Sequence, residues 1–294
     1  MMTQKNISLE SYTTFHIGGP ADEFVIVHSA DELTEAVMYA KEKKISYFIL
    51  GSGANILVGD KGFRGLVIKN ESDKIETIET KIIAESGVTI SHLIEIAKEK
   101  GLSGFEHFAG IPSTVGGALW QNLHFLSPDR TKTVFIADIL ESAVILTEEG
   151  EQKKVDKDYF QFGYDDSILH SNHAIVLSAT FSLKEKKREE IEKVIEENIS
   201  WRKEKHPENA VWTSAGSVFK KIEGHGAGRL IEQVGLKGYQ IRGAKISEKH
   251  ANFIVNVNNA TADDVMRLID LVKEKVHMQL GLTMETEISF VGQF

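Results

Sequence analysis

An α+β fold in more than one unit is what this sequence predicts, on three observations. Apolar runs of strand length alternate with amphipathic helical stretches along 294 residues, a length above the ~100–200 residues of a usual domain. Two glycine-rich loops interrupt that pattern in the first half of the chain. A long charged stretch, "KEKKREEIEKVIEENISWRKEKHP", then sets off a compact C-terminal third.

The elements follow in order. Val25, Ile26 and Val27 read as a strand. In "SADELTEAVMYAKEKK", Ser29 and Glu32 stand at capping-box spacing. Leu33, Val37 and Ala40 recur at helical intervals, which predicts a helix packed on a sheet. Tyr47 to Leu50 is an apolar strand running straight into a glycine-rich turn, and "GLVIK" and "KIIAESGV" are further strands. "ISHLIEIAKEKG" is a helix that Gly101 stops. From Val134 to Leu183 short β-like runs dominate, among them "FIADILESAVILTEEG" and "HAIVLSATFSL". The charged stretch reads as a surface helix ending near Pro207, so the main domain boundary is expected around residues 184–200. The remainder supplies a "GAGRLIEQVG" helix, an "ANFIVNV" strand, a long helix and an "ETEISFVG" strand. In the long helix Val265, Leu268, Ile269 and Val272 form an amphipathic stripe at i, i+3, i+4 and i+7.

Composition narrows the function classes. A net charge of -9 argues against a nucleic-acid partner, whose binding domain is normally basic. The chain has no cysteine, which excludes disulfides, thiolate catalysis and cysteine-held zinc or iron–sulfur centres. "MMTQKNISLESYTTFHIGG" lacks the apolar core of a signal peptide. No apolar run approaches the ~20 residues that span a bilayer. The expectation is a soluble, cytoplasmic protein with no membrane partner.

The two loops are "LGSGANILVGDKGFRG", Leu50 to Gly65, and "FAGIPSTVGGALWQN", Phe108 to Asn122, each read as following a strand. Glycine lets the backbone approach a ligand closely, and consecutive exposed amides make a concavity suited to phosphate oxygens. Neither loop is a dinucleotide-binding or P-loop fingerprint, and each alone fits a plain turn; two in one domain point to a bound pyrophosphate. Pro112 would stiffen the second loop. A third stretch, "TSAGSVFKK", puts the Ser217 hydroxyl on a turn made tight by Ala215 and Gly216, beside Lys220 and Lys221. That hydroxyl fits a nucleophile, a phosphate ligand, a proton donor or an ordinary turn residue. His16, His107 and His250 pair with nothing at metal-ligand spacing, so no metal is expected.

Seven blocks in order, "TTFHIGGPADEFV", "LGSGANILVGDKGFRGLVI", "GFEHFAGIPSTVGGA", "FGYDDSIL", "SAGSVFK", "GAGRLIEQVGLKGYQIRGAKISEKHANFIVN" and "ETEISFVG", resemble those of the UDP-N-acetylenolpyruvoylglucosamine reductases, from about Tyr12 to Gly292. The resemblance implies a two-lobed FAD-binding domain of the vanillyl-alcohol-oxidase type, lobes 1–66 and 67–190, and a C-terminal α+β substrate domain, 191–294. The uninterrupted C-terminal unit is similar to the family's smaller type, which lacks an extra substrate-capping loop. The implied reaction carries hydride from NADPH through FAD to the enolpyruvyl group of a UDP-sugar, giving UDP-N-acetylmuramate for peptidoglycan, with a monomer favoured. The implied FAD-binding residues are Gly51, Ser52, Gly53, Ala54, Asn55 and Ile56 in the first loop. In the second they are Gly110, Ile111, Pro112, Ser113, Thr114, Gly116, Gly117, Ala118 and Asn122.

The resemblance also assigns roles around the substrate. Ser217 matches the serine that protonates the enolate, and Glu287 matches a catalytic glutamate, its spacing to Val291-Gly292 favouring it over Glu285. Lys205 and Lys220 match substrate contacts, and Tyr164 lines the pocket. The family's arginine after the tyrosine of the "GY…S" motif is Asp165 here. A cation there would stabilise the growing enolate charge, whereas an aspartate would repel substrate and transition state alike. Arg130, Arg202 and Arg242 are candidates for a relocated cation. A second departure follows Asn122, where the family's glycine turn along the flavin is replaced by Leu123, His124, Phe125 and Leu126. Turnover well below that of relatives with the arginine is therefore expected. The alternative is a divergent paralogue, either a flavoprotein acting on another substrate or a non-catalytic module that binds FAD or a nucleotide sugar.

Overall fold

Ser29 accepts a hydrogen bond from the amide of Glu32 at 3.1 Å, and from that cap the helix Ala30–Lys43 buries Leu33, Ala36, Val37 and Ala40. Burying Leu33 and Val37 contributes about 1.5–3 kcal/mol each, so tertiary packing rather than propensity holds the helix. The computed structural model describes residues 2–127, 129–207, 213–222 and 224–294. Contacts divide the chain into two interleaved units. The first is built mainly from Val25–Ser52 and Ile68–Arg202, the second from Thr3–Phe24, Gly53–Val67 and Lys203–Phe294.

The first unit centres on a five-stranded antiparallel sheet in the order Gln152–Asp156, Leu140–Leu146, Ile175–Ser182, Lys81–Glu85, Ile75–Ile78. Small residues meet across its middle: Ala179 faces Ala143 on one side and Ala84 on the other. Phe105 packs edge-on against Phe181 with ring centroids 4.9 Å apart, inside a core with Phe108, Leu119 and Phe160. Thr89 caps the helix Ile90–Glu99, which turns Ile90, Leu93, Ile94 and Ala97 inward and ends where Gly101 takes φ +66. The charged helix spans Arg188–Lys205 and buries only Ile191 and Asn198. Asn198 donates to the carbonyls of Glu106 and His107 (3.5 and 3.4 Å), which anchors an otherwise solvated helix over the start of the second glycine loop.

The second unit has its own core, in which Val265, Leu268, Ile269 and Val272 of the helix Ala262–Leu280 pack with Phe15, Leu57, Val218 and Ile254. Beside it lies an antiparallel sheet of Gln240–Ile241, Ala244–Ile246 and Ile254–Asn256. The last strand, Ser289–Val291, pairs in parallel with Ile56–Val58, so the C-terminal motif lies beside the end of the first glycine loop. Thr261 and Asp264 form a capping box on the long helix. The Asp60 carboxylate accepts from the next two orphan amides, Ala262 N at 2.8 Å and Asp263 N at 3.1 Å. Removing it leaves those donors unsatisfied, so Asp60→Ala is expected to cost about 1–3 kcal/mol in urea unfolding, and Asp60→Asn less. A midpoint unchanged by Asp60→Ala would show that the cap carries no stability.

Candidate active site

The strand Tyr47–Leu50 delivers the chain into the first glycine loop. Side chains are excluded at two of its positions. A Cβ on Gly51 would stand 2.7 Å from Thr114 Oγ1, and Gly53, at φ +65, would drive one to 2.3 Å from the Tyr12 carbonyl. The carbonyls of the loop are engaged: Gly51 O accepts from Lys69 Nζ (3.0 Å), Gly53 O from Thr14 N (3.1 Å) and Asn55 O from Ser289 N (3.0 Å). Its amides are not. Among the described residues, Ser52, Gly53, Ala54 and Asn55 donate no backbone hydrogen bond. Four consecutive uncommitted amides on a glycine-opened turn make an anion cradle. Within the first unit, Ser52, Lys69, Thr89, His92 and Thr114 line a cavity of about 370 Å³. Burial lowers the pKa of Lys69, with Glu71 at 3.8 Å opposing that shift. Hydroxyls, an ammonium and bare backbone fit the diphosphate part of FAD; Glu71 and Asp73 on the same wall do not.

The second loop works differently from the expectation. A 3-10 turn, Glu106–Phe108, precedes it rather than a strand, and its amides are largely spent. Val115 N donates to Val88 O and Gly116 N to Ser86 O (both 2.8 Å), while Gly117 N donates to Thr114 Oγ1 (3.3 Å). These bonds dock the loop on residues 86–88 and start the helix Val115–Gln121 with Thr114 as its cap. Gly116 and Gly117 thus supply space rather than donors.

The helix ends at Asn122, buried and left-handed at φ +49. Its Nδ2 donates to Gly163 O at 2.7 Å, and its buried Oδ1 has no hydrogen-bond partner among the described residues. Gln121 Nε2 reaches Asp165 O (3.3 Å) and Ser167 Oγ donates to Trp120 O (2.8 Å). The Gly163–Ser167 turn is therefore pinned to the C-terminus of this helix. Tyr164 is 45 % exposed, and Asp165, at φ +53, is 3 % exposed. The Asp165 carboxylate lies 3.6 Å from His124 Nδ1, and the His124 ring packs on Tyr164 with centroids 4.4 Å apart. Sequence reasoning marked His124 as bulk in place of glycine and missed it as a partner for Asp165.

Ser217 and Glu287 belong to the second unit. Gly216 turns the chain at φ +79 before Ser217, and the next residues are held from both sides. Val218 N donates to Asn252 O (2.8 Å), and Glu287 N donates to Val218 O (2.8 Å). Ser217 and Glu287 are thereby fixed on neighbouring backbones, although the strand expected across "ETEISFVG" is confined to Ser289–Val291. Asn55 Nδ2 reaches Glu287 O at 3.5 Å, tying the first loop to the same segment. Lys220 Nζ stands 3.9 Å from Glu285, an exposed pair worth little. Lys205 is exposed and pairs with Glu204 (2.6 Å). Of the candidate relocated cations, Arg242 Nη1 lies 3.8 Å from the buried Asp264, while Arg130 and Arg202 pack on Phe125. Pro128, within the altered 121–130 segment, lies outside the described residues.

Residues 206–291 match the family model of the UDP-N-acetylenolpyruvoylglucosamine reductase C-terminal domain, and residues 21–156 match that of an FAD binding domain. The chain is 42% identical to the UDP-N-acetylenolpyruvoylglucosamine reductase of Caldanaerobacter subterraneus over 98% of its length and 93% of the relative's. It is 39% identical to that of Listeria monocytogenes serotype 4b, over 98% of this chain and 94% of the relative. The crystal structure of the Thermus caldophilus reductase superposes with a TM-score of 0.82 at 33% identity, covering 99% of this chain and all of that one.

Proposed function

This chain belongs to the UDP-N-acetylenolpyruvoylglucosamine reductase family, and from that premise we propose that it reduces the enolpyruvyl group of UDP-N-acetylglucosamine enolpyruvate with NADPH, giving UDP-N-acetylmuramate for peptidoglycan. The observation that carries the reading is the cavity of the first unit, which Ser52 of the first glycine loop lines together with Lys69, Thr89 and Thr114. Bound there, FAD would supply the chemistry that relays hydride from NADPH to the substrate. The lobe limits of 1–66, 67–190 and 191–294 and the implied cofactor contacts belong to this same reading.

The rest falls to the chain's own residues. Adding hydride to one carbon of the enolpyruvyl double bond leaves charge on its neighbour, spread as an enolate onto the carboxylate. Ser217 is the proton donor in this reading, supported by a backbone fixed at the next residue, where Val218 bonds Asn252 and Glu287. Glu287, on the adjoining backbone, completes the proton path. Tyr164, Lys205 and Lys220 contact the nucleotide sugar. Asp165 stands where the resemblance requires an arginine, and its burial against His124 turns its carboxylate on an imidazole. A substrate that approaches the exposed Tyr164 is thus spared part of the repulsion that the sequence implies. The missing cation still favours slower turnover than in relatives that keep it, and supports a second reading as a flavoprotein reductase of a less anionic substrate.

Purified protein should be yellow or take up FAD with one-to-one stoichiometry, and NADPH should bleach it. A colourless protein with no thermal shift on adding FAD overturns both readings.

A further inference from the structure

Arg202 is a half-buried cation with no counter-charge among the described residues. It closes the charged helix over the second glycine loop, where a Cβ on Gly110 would come within 3.1 Å of its Cδ. Among the described residues no carboxylate lies within ion-pair distance and no acceptor takes its five N–H donors. Its guanidinium rests on the Phe125 ring, 5.1 Å from the centroid. Burial alone lowers its pKa, to about 10, so it remains charged at neutral pH. A second cation shares the ring. The Arg130 guanidinium lies 5.4 Å from the Phe125 centroid and 4.6 Å from that of Trp201, which itself packs edge-on against Phe125. Arg130 also has no acidic partner among the described residues, and the only hydrogen bond of its guanidinium there is a long one to Leu126 O, 3.5 Å.

The placement of Arg130 is built. Its backbone is left-handed at φ +58, a region that favours glycine, and a local network holds the turn there. Arg130 N donates to Ser127 O (2.8 Å), Ser127 Oγ to Asp129 (2.5 Å) and Thr131 N to Asp129 (3.2 Å). The chain carries 43 acidic and 34 basic side chains. In so acidic a protein, two like charges gathered on one ring with no acid beside them among the described residues are unfavourable until an anion joins them. Aromatic faces hold guanidiniums without consuming their N–H donors, which leaves the planar fork available to an oxyanion.

We propose that Arg130 and Arg202, held by Phe125 and Trp201, form a two-guanidinium site for an anionic oxygen group, phosphate or carboxylate, of a bound nucleotide. The identity of the nucleotide rests on the reductase reading; the site itself does not. Sources of such a group are the diphosphate of FAD, the diphosphate of the nucleotide sugar and the carboxylate it carries.

Calorimetric titration of the FAD-loaded protein with UDP-N-acetylmuramate and with UDP-N-acetylglucosamine, which lacks the carboxylate, separates these sources. FAD retention, read from the visible spectrum, is followed in parallel. Arg130→Met and Arg202→Met should each weaken one of the three ligands at least tenfold. Arg→Lys should recover part of the loss, because charge returns without the fork, and Phe125→Leu should weaken the same ligand. Loss for both nucleotide sugars supports their diphosphate as the anion, loss for the carboxylated one alone supports the carboxylate, and loss of FAD supports the cofactor. If neither Arg130→Met nor Arg202→Met changes any affinity by more than twofold, the site is overturned. Arg130 is half-buried on a surface turn, so its variant tests the proposal even if Arg202→Met does not fold. Binding is read without turnover, so a chain that binds through these arginines yet never oxidises NADPH refutes the reductase reading while supporting the site.

Discussion

Ser217→Ala is expected to slow reduction of the enolpyruvyl group by about 10²–10⁴-fold while flavin reduction by NADPH stays within about twofold, since a positioned acid contributes on that scale to proton transfer only. The turn should survive the substitution. Its shape rests on Gly216 at φ +79 and on backbone bonds from Val218 to Asn252 and from Glu287 to Val218, none of which uses the serine oxygen. A serine hydroxyl is a weak acid, so the burden falls on the basicity of the enolate and on whatever stabilises the alkoxide left behind. Lys220 gives limited help, because its ammonium is exposed and shared with Glu285 at 3.9 Å. Stopped-flow measurement of the two half-reactions separates the outcomes, and equal rates for wild type and Ser217→Ala in both would remove Ser217 from the chemistry.

The second large effect lies at Asp165 and needs two substitutions to appear. Restoring the family's arginine by Asp165→Arg alone should give no gain in turnover. The position is left-handed at φ +53 and its carboxylate is buried 3.6 Å from His124, whose ring fills the adjacent space against Tyr164 and Phe135. A longer, charged side chain there meets an imidazole where it should meet substrate. His124→Gly removes that ring and returns the glycine that the family carries. The double variant His124→Gly/Asp165→Arg is therefore expected to raise turnover about tenfold or more over the unmodified chain. Exchanging a negative for a positive charge near a developing enolate is worth up to several kcal/mol, given that unit charges ~4 Å apart at an effective dielectric of ~20 interact by about 4 kcal/mol. Steady-state kinetics on the three proteins decide it. An equal rise in Asp165→Arg alone would show that His124 is no obstacle. Full activity in the unmodified chain would assign the missing charge to another cation, with Arg130 and Arg202 the candidates to substitute next.

The sequence by itself determined what depends on short-range spacing. Ser29 and Glu32 announced a helix start that the structure caps at 3.1 Å, and the stripe from Val265 to Val272 became the buried face of the long helix. Tyr47 to Leu50 is a strand with the limits read for it. The ordered glycine, serine and glutamate motifs identified the family. Other features were decided only when distant segments met. Asn122 bonds Gly163 across 41 residues, and Gln121 reaches Asp165 across 44, so the surroundings of Asp165 belong to a helix end that no local pattern connects to it. Both glycine loops read as amide cradles, yet the second spends its amides on Ser86 and Val88, while in the first the amides of Ser52 to Asn55 have no backbone acceptor among the described residues. The single signal for His124 was its replacement of a glycine, which says that something fills the space and not what it touches. The reason is physical: capping and periodicity act within one or two turns of chain, where sequence separation is distance, whereas a buried carboxylate takes its partner from whichever element tertiary packing sets against it.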